Sequence, residues 1–560
     1  MKPQFNKETF IVWRFNFVVV LICLIVIALM IRLMELAVFK KNFLQTESNA
    51  RVLRVVTQPA FRGMIVDRVG YPLAISASVY SVWVNPQEFS NKDPNLLRFS
   101  KLLIVSKENL LRIIMRAKTK QREFVYIKRD LSPELAKKIK LLKISGVYLE
   151  AGSKRFYPEG EVASHVIGFT NIDDQGQEGL ELQYNQWLAG KPGKKIVIKD
   201  RLGRVIDDVK TLQANQPGHD LSLSIDHRVQ YLAYRELLSG VEENKAASGS
   251  VVVLDIKTGE ILAMVNLPSY NPNNRMQYAS PNIFRNRAVT DVFEPGSTIK
   301  SFSIASGLDS KQYTANTVIN TSPGWLMVGH HLVRDEHNKG PLTLTQILQY
   351  SSNVGNTKML LSLPPDELWS LLHRVGFGEI TGIGFPGERA GELAHHTDVF
   401  ELATLGFGYG LSVTALQLAA AYSVFADHGI KLPLSLIHLD SLPKGERVLD
   451  QSVADQMLKL LESVVSEKGG TGRPAQIPGY RVAGKTGTSW MVGKNGYEKH
   501  HYVSSFVGIA PISQPRFVVA VVIHDPQGKN YLGGYVSGPI FKKIMEGLLH
   551  QYNVPPDQSV

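Results

Sequence analysis

Three short groups of residues stand in one order along the second half of this 560-residue chain: Ser297-Thr298-Ile299-Lys300, Ser351-Ser352-Asn353 and Lys485-Thr486-Gly487. They supply a hydroxyl with an amine three residues on, a second hydroxyl with an amide, and a cation in an alternating, strand-like segment. That set suits acyl transfer through a covalent seryl ester. Pro295-Gly296 breaks the chain just before Ser297, so a helix is expected over 297–308, with Ser297 and Lys300 on one face. A free serine is a weak nucleophile and needs a base. A solvated lysine, with a pKa of about 10.4, is charged and cannot act as one. Burial and a neighbouring cation lower that value, and Lys485 is the obvious neighbour. The helix N-terminus favours negative charge developing near Ser297. Ser351 can relay a proton to a leaving amine, and the Asn353 amide can orient a substrate. Lys485 and Gly487 are expected on one strand face, where the bare glycine admits an extended peptide. The backbone N–H groups of Ser297 and Thr488 are candidates for an oxyanion hole.

Each pattern alone is common. Ser441-Leu-Pro-Lys444 repeats the first, but its proline and following glycine indicate a loop. Ser269-Tyr-Asn271 repeats the second, which by itself reads as a cap or turn. Lys257-Thr-Gly259 repeats the third at the tip of an expected hairpin. A rival also exists at the third motif. Gly479 to Thr486 fits the phosphate-loop pattern, and the apolar run from Phe517 ends in Asp525, as a magnesium-binding strand would. An ATPase needs a strand before Gly479 and a helix directly after Lys485. Pro478 precedes the pattern, and Gly487-Thr488-Ser489-Trp490 follows it, which disfavours that reading.

The elements that must position these groups follow from composition and periodicity. The chain is 44% hydrophobic and 20% charged, with a net charge of +12, and is long enough for several domains. Basic tracts interleaved with aromatics are lacking, which argues against nucleic-acid binding. The single cysteine, Cys23, excludes an internal disulfide and multi-cysteine metal sites. Cys23 lies in an apolar run from Phe15 to Phe39, interrupted by Asn16, Arg32 and Glu35 and flanked by Trp13, Arg14, Lys40 and Lys41. Its length and flanks fit an uncleaved transmembrane signal anchor. A short tail at 1–14, an anchor at 15–39 and a non-catalytic β-rich region at 40–225 are expected, with a catalytic domain at 226–560. The absence of a second long apolar run puts everything after the anchor on one side of the membrane. Helical character is expected after the anchor to about Ala50 and over 94–142. In the last domain, helices are expected over 227–238, 342–348, 414–427 and 539–551. Strands are expected over 250–255, 260–265, 480–488, 502–509 and 516–523. Strands at both ends of the domain with helices between them indicate an α+β fold on an antiparallel sheet.

With these motifs in hand, the chain resembles the class B penicillin-binding proteins, most closely the division-specific penicillin-binding protein 3 branch of Gram-negative bacteria. The resemblance runs from the anchor to Pro556. It rests on Arg62-Gly-Met-Ile-Val-Asp67-Arg68, Arg155-Phe-Tyr-Pro158-x-Gly160, Gly179-x-Glu181, Arg285 to Lys300, Gly408-Tyr-Gly410-Leu-Ser-Val-Thr414 and Gly484 to Thr488. It implies a transmembrane helix, a β-rich pedestal domain and a penicillin-binding transpeptidase domain of serine β-lactamase type. It implies peptidoglycan cross-linking at the division septum, with no cofactor and no metal. Ser297 would attack the penultimate D-alanine of a stem peptide, with Lys300 as base, Ser351 as proton relay and Asn353 as substrate contact. Lys485 and Thr486 would hold the stem's carboxylate beside Gly487, and Thr488 would join the oxyanion hole. β-Lactams would acylate Ser297. The partners implied are stem peptides, the lipid-linked precursor and division-complex proteins, including a polytopic SEDS-type glycosyltransferase. The location implied is the bacterial inner membrane, with a single pass and the catalytic domain in the periplasm. The Glu-x-x-x-Asn segment that positions the deacylating water of class A β-lactamases is missing between Asn353 and Lys485, so a long-lived acyl-enzyme is expected.

Two further functions share part of this pattern. A β-lactam sensor would need a signalling domain before the anchor, and 1–14 is too short for one. A serine hydrolase would release D-alanine without an acceptor amine.

Overall fold

In a computed structural model the described residues are 7–558, apart from 59, 200–204, 396–397 and 494–495. Lys7–Met34 is one helix of 28 residues, about 42 Å long at 1.5 Å per residue and therefore longer than a bilayer's hydrocarbon core. Its side chains from Val12 onward are exposed and almost all apolar, as lipid contact requires. Glu35, the acid that interrupts the run, opens a π-helical turn, Glu35–Phe39, and pairs with Lys40 at 2.6 Å. Helix Lys41–Val52 follows.

The rest of the chain forms two compact units that interleave in sequence. One takes the residues up to 60 with 79–152 and 190–217; the other takes 61–78, 153–189 and 218–560. In the first, strands Leu53–Gln58, Gly193–Lys199 and Val205–Gln213 make a three-stranded antiparallel sheet. Helices Leu96–Leu103, Lys107–Thr119 and Pro133–Leu141 pack Phe99, Leu103, Leu110, Ile114 and Ile139 against Val82 and Val84. Ser106 and Ser132 cap the last two helices. The helical character expected over 94–142 is interrupted by strand Val125–Leu131, which pairs with the segment 80–84.

The second unit contains all three motifs. Its sheet has five antiparallel strands in the order Ile261–Leu267, Ser248–Asp255, Phe517–His524, Gly496–Ala510 and Ala483–Gly493. Both faces of the central strands are covered. Val251, Val253, Val519 and Val521 pack with the helices His227–Glu243 and Gly533–Gln551. Val252, Leu254, Val518 and Ala520 pack in the larger core with Tyr422 and Phe425. Burial on two faces explains the unbroken apolar runs in these strands. The helix Ala415–Ala426 starts with a capping box between Thr414 and Gln417. The helix expected at 539–551 begins earlier, at Gly533, with Pro539 inside it. Lys257-Thr-Gly259 lies in the turn of the first hairpin, as expected, where Gly259 has a φ of +71°.

Three of the quoted motifs meet in this unit. Glu181, with no exposure, takes Arg62 on one oxygen and Arg155 on the other, both at 2.6 Å. Asp67 accepts from Val69, Tyr71 and His227, which fastens the ribbon 61–78 to the start of helix His227–Glu243. Removing the acid would leave two buried guanidinium groups without their counter-charge. Glu181→Ala is therefore expected to cost about 3–5 kcal/mol, read as a lowered melting temperature of the detergent-solubilised protein.

Candidate active site

The expected helix at Ser297 is split. Gly296–Ile299 is a 3-10 turn, and Lys300–Asp309 continues as α-helix. In a 3-10 turn residues three apart eclipse, so Lys300 lies directly over Ser297, with Nζ 3.1 Å from Oγ. Ser297 is half-buried, whereas Lys300 has no exposure. Tyr422 fixes the junction from the helix Ala415–Ala426. Its hydroxyl donates to the Thr298 carbonyl at 2.7 Å and lies 2.8 Å from Ser301 Oγ. Burial pushes the Tyr422 phenol far up, so it stays protonated and able to donate.

Ser351 ends the helix Leu344–Tyr350 in the left-handed region, with φ at 59° and ψ at 39°. That conformation turns both its oxygens toward Lys300, whose Nζ lies 2.6 Å from the Ser351 carbonyl and 3.0 Å from Oγ. Ser352 is the N-cap of the next helix, Asn353–Leu360, and accepts from Gly355 N. The cap reading of this motif and its chemical reading thus fall on neighbouring serines. The Asn353 amide is oriented by donation to the Arg334 carbonyl at 2.9 Å.

Lys485 comes from the edge strand Ala483–Gly493, in register with Val507. It is fully buried and donates to Ser351 Oγ at 3.2 Å. Ser351 Oγ therefore bridges two amines. Burial pushes the Lys300 ammonium down to about 7, against the pull of Asp335. Burial, and then the charge of Lys300, hold Lys485 well below the ordinary lysine range. A neutral Lys300 has two N–H groups for the two Ser351 oxygens and one lone pair for the Ser297 hydroxyl. That is the hydrogen-bond pattern of a base poised to take the serine's proton.

The remaining expected residues line the same strand. Thr486 Oγ1 donates to Thr471 Oγ1 at 3.0 Å, and Thr488 Oγ1 accepts from Gly533 N at 3.0 Å. The Thr488 hydroxyl is thus held as an acceptor, while its backbone abuts the turn that carries Ser297. A methyl group on Gly296 would lie 2.9 Å from the Thr488 carbonyl and 3.4 Å from its nitrogen. Gly487 shares a face with Lys485, but that face is filled by the protein. A methyl group there would lie 2.3 Å from Ser505 Oγ and 2.6 Å from the Pro295 carbonyl. The glycine is required for strand and turn to touch, rather than to open a path for a peptide.

The eight expected residues fall at three places: the turn and helix start at 297–300, the junction of two helices at 351–353, and the edge strand at 485–488. Thr471, Tyr422 and Asp335 were missed, since isolated polar residues in loops and helices carry no spacing signal. The phosphate-loop reading fails. Gly484, Lys485 and Thr486 lie within a strand with no helix after them, Lys485 is buried, and Asp525 pairs with His501 at 2.8 Å. Ser441 to Lys444 lies outside regular structure.

A half-buried serine beside a buried lysine, a second serine that meets two buried lysines, and the edge strand thus share one unit built on the five-stranded sheet. The chain belongs to the penicillin-binding proteins. The penicillin-binding protein transpeptidase domain matches residues 249–546, and the penicillin-binding protein dimerisation domain matches 57–223, which together define class B. Among relatives, it is 43% identical to the peptidoglycan D,D-transpeptidase FtsI of Escherichia coli K12, over 99% of this chain and 95% of that protein. It is 41% identical to the probable peptidoglycan D,D-transpeptidase PbpC of Pseudomonas aeruginosa, over 97% and 96%. Among solved structures, the transpeptidase domain of Burkholderia pseudomallei penicillin-binding protein 3 is 39% identical with a TM-score of 0.56, covering 60% of this chain and 98% of that one. Penicillin-binding protein 3 of Mycobacterium tuberculosis, complexed with aztreonam, is 25% identical with a TM-score of 0.69, covering 90% and 98%.

The contacts around Gly487 give a direct check. Gly487→Ala is expected to destabilise by about 1–3 kcal/mol, measured as a fall in denaturation midpoint. An unchanged midpoint would mean that strand and turn are not in contact.

Proposed function

We propose that this protein is a septal peptidoglycan D,D-transpeptidase, anchored by one helix in the bacterial inner membrane with its catalytic unit in the periplasm, and a target of β-lactams. The observation that carries the reading is the contact of Lys300 Nζ with Ser297 Oγ at 3.1 Å inside a site that holds the amine near neutrality. Ser297 Oγ attacks the carbonyl of the penultimate D-alanine and gives its proton to Lys300. The oxyanion that forms faces the N–H groups of Ser297 and Thr488, where donors gain strength because water is excluded. Ser351 passes a proton to the departing D-alanine amine from the lysine pair. An amine of a second stem then attacks the seryl ester by the same steps in reverse, and Ser297 recovers its proton. Lys485 and Thr486 hold the terminal carboxylate, and Asn353 orients the stem backbone. The periplasmic placement is supported by the proposed substrate, which lies outside the inner membrane, and is compatible with the single apolar span among the described residues. Division-complex proteins, including a polytopic SEDS-type glycosyltransferase that supplies the glycan strands, are the partners this role requires.

Labelling the detergent-solubilised protein with a fluorescent penicillin tests the reading. A stable adduct on Ser297 is expected, absent from Ser297→Ala. The acylation rate should rise with pH as Lys300 loses its proton, with a midpoint near about 7. Lys300→Arg, which cannot give up its proton, should lose about 10²–10⁴-fold in rate. An adduct on another residue would overturn the assignment. Release of D-alanine from a stem peptide without an acceptor amine would identify a hydrolase instead.

A further inference from the structure

The hairpin formed by Trp325–Val328 and His331–Arg334 delivers one carboxylate, Asp335, to the start of the helix Asn353–Leu360. Asp335 Oδ2 accepts from Ser352 Oγ at 2.6 Å, and Oδ1 accepts from Val354 N at 2.9 Å. One residue earlier, the Arg334 carbonyl accepts the Asn353 amide at 2.9 Å. Asp335 is itself held, since its N–H donates to the Gly324 carbonyl at 3.0 Å. The second motif is thus clamped from outside by two consecutive residues that belong to none of the three motifs.

We propose that Asp335 is a positioning residue for acyl transfer, which clamps Ser351 and Asn353 through Ser352 and supplies the negative charge behind the buried Lys300. The proposal rests on the reading of Ser297, Lys300 and Ser351 given above. Its electrostatic part follows from where the carboxylate stops. Two ammonium groups meeting on one hydroxyl repel each other, and with no nearby negative charge both are driven neutral. The site would then lack an acid for the leaving amine. A carboxylate in direct contact with Lys300 would do the opposite, holding the lysine charged and useless as a base. Asp335 stands between these limits: its oxygens are taken by Ser352 and Val354, and its charge reaches Lys300 from one residue behind the relay serine.

The other charged and titratable groups around the clamp include His330, His331 and His337 of the hairpin and its loop, and Lys339, which lies over the Tyr350 ring at 5.1 Å. Arg334 and Glu336 flank Asp335 with opposite signs, and the helix Leu344–Tyr350 has no charged residue. Lys358, on the clamped helix, is turned to the Asn320 carbonyl, and Glu401 lies on the neighbouring helix Val399–Leu405. Within the centre, the charge acting on Lys485 is that of Lys300.

The sign of the effect is then set. The negative charge favours protonated Lys300, so removing it lets the lysine lose its proton at lower pH. The experiment is the rate of Ser297 acylation by a fluorescent penicillin, measured from pH 5 to 9 on the full-length protein. Asp335→Asn should move the midpoint down by about 0.5–1 pH unit. Asp335→Ser is a second neutral variant and should move it the same way. Asp335→Glu keeps the charge and should keep the wild-type midpoint. Asp335→Ala, which also releases the clamp, should lower the high-pH rate by about 10–100-fold. Neutral variants that label at Ser297 with the wild-type midpoint would overturn the proposal while leaving the acyl-serine reading intact. A wild type that does not label at Ser297 would overturn that reading and the proposal with it.

Discussion

The centre depends on the burial of two lysines against one serine hydroxyl. Lys300 and Lys485 are both without exposure, and both reach Ser351 Oγ, at 3.0 and 3.2 Å. Taking an ammonium out of water costs several kcal/mol, and doing so twice at one point forces the pair to carry less than its full charge. That loss of charge turns a lysine into a base at neutral pH. The rest of the unit resists the relaxation that would return these amines to solvent. The sheet holds Lys485 from one side, and the 3-10 turn holds Lys300 from the other. Ser351 is kept in a left-handed conformation that costs a residue with a side chain about 1–2 kcal/mol, with Lys300 bonded to its carbonyl.

Such a centre needs backbones that touch, and glycine makes that possible at its borders. A methyl group on Gly408 would lie 2.0 Å from the Gly296 carbonyl, and one on Gly533 would lie 2.3 Å from the carbonyls of Gly487 and Ser505. The nucleophile's turn, the edge strand and the start of the last helix therefore meet with no side chain between them. This also explains why that helix begins at Gly533 rather than at Pro539. Its first residues must lie flat on the strand, which only glycine allows there.

Much of this was legible beforehand. The central strands were readable because both faces are buried, which leaves runs such as Val251 to Leu254 and Phe517 to Ile523 without a polar residue. The helix expected over 414–427 was readable as an apolar stretch of helical length, and forms over Ala415–Ala426. The interleaving of the two compact units was not legible, because the strand Pro72–Val84 pairs with Ile65–Val66 at its start and with Val125–Leu131 at its end. Pairing partners far apart in the chain leave no local trace.

The motifs by themselves pointed to the chemistry. A serine three residues before a lysine, a second serine two before an asparagine, and a lysine in an alternating segment supply candidate reacting groups, because acyl transfer needs a hydroxyl beside a base and groups to orient the substrate. Tertiary structure alone decided their state. Whether Lys300 is base or cation depends on burial and on Asp335, which carries no motif, and the state of Lys485, 185 residues away in sequence, depends in turn on Lys300. Whether Gly487 clears a path or closes a contact depends on Pro295 and Ser505 lying against it. Both are properties of distance through space, and electrostatic and steric energies depend on that distance, not on separation along the chain.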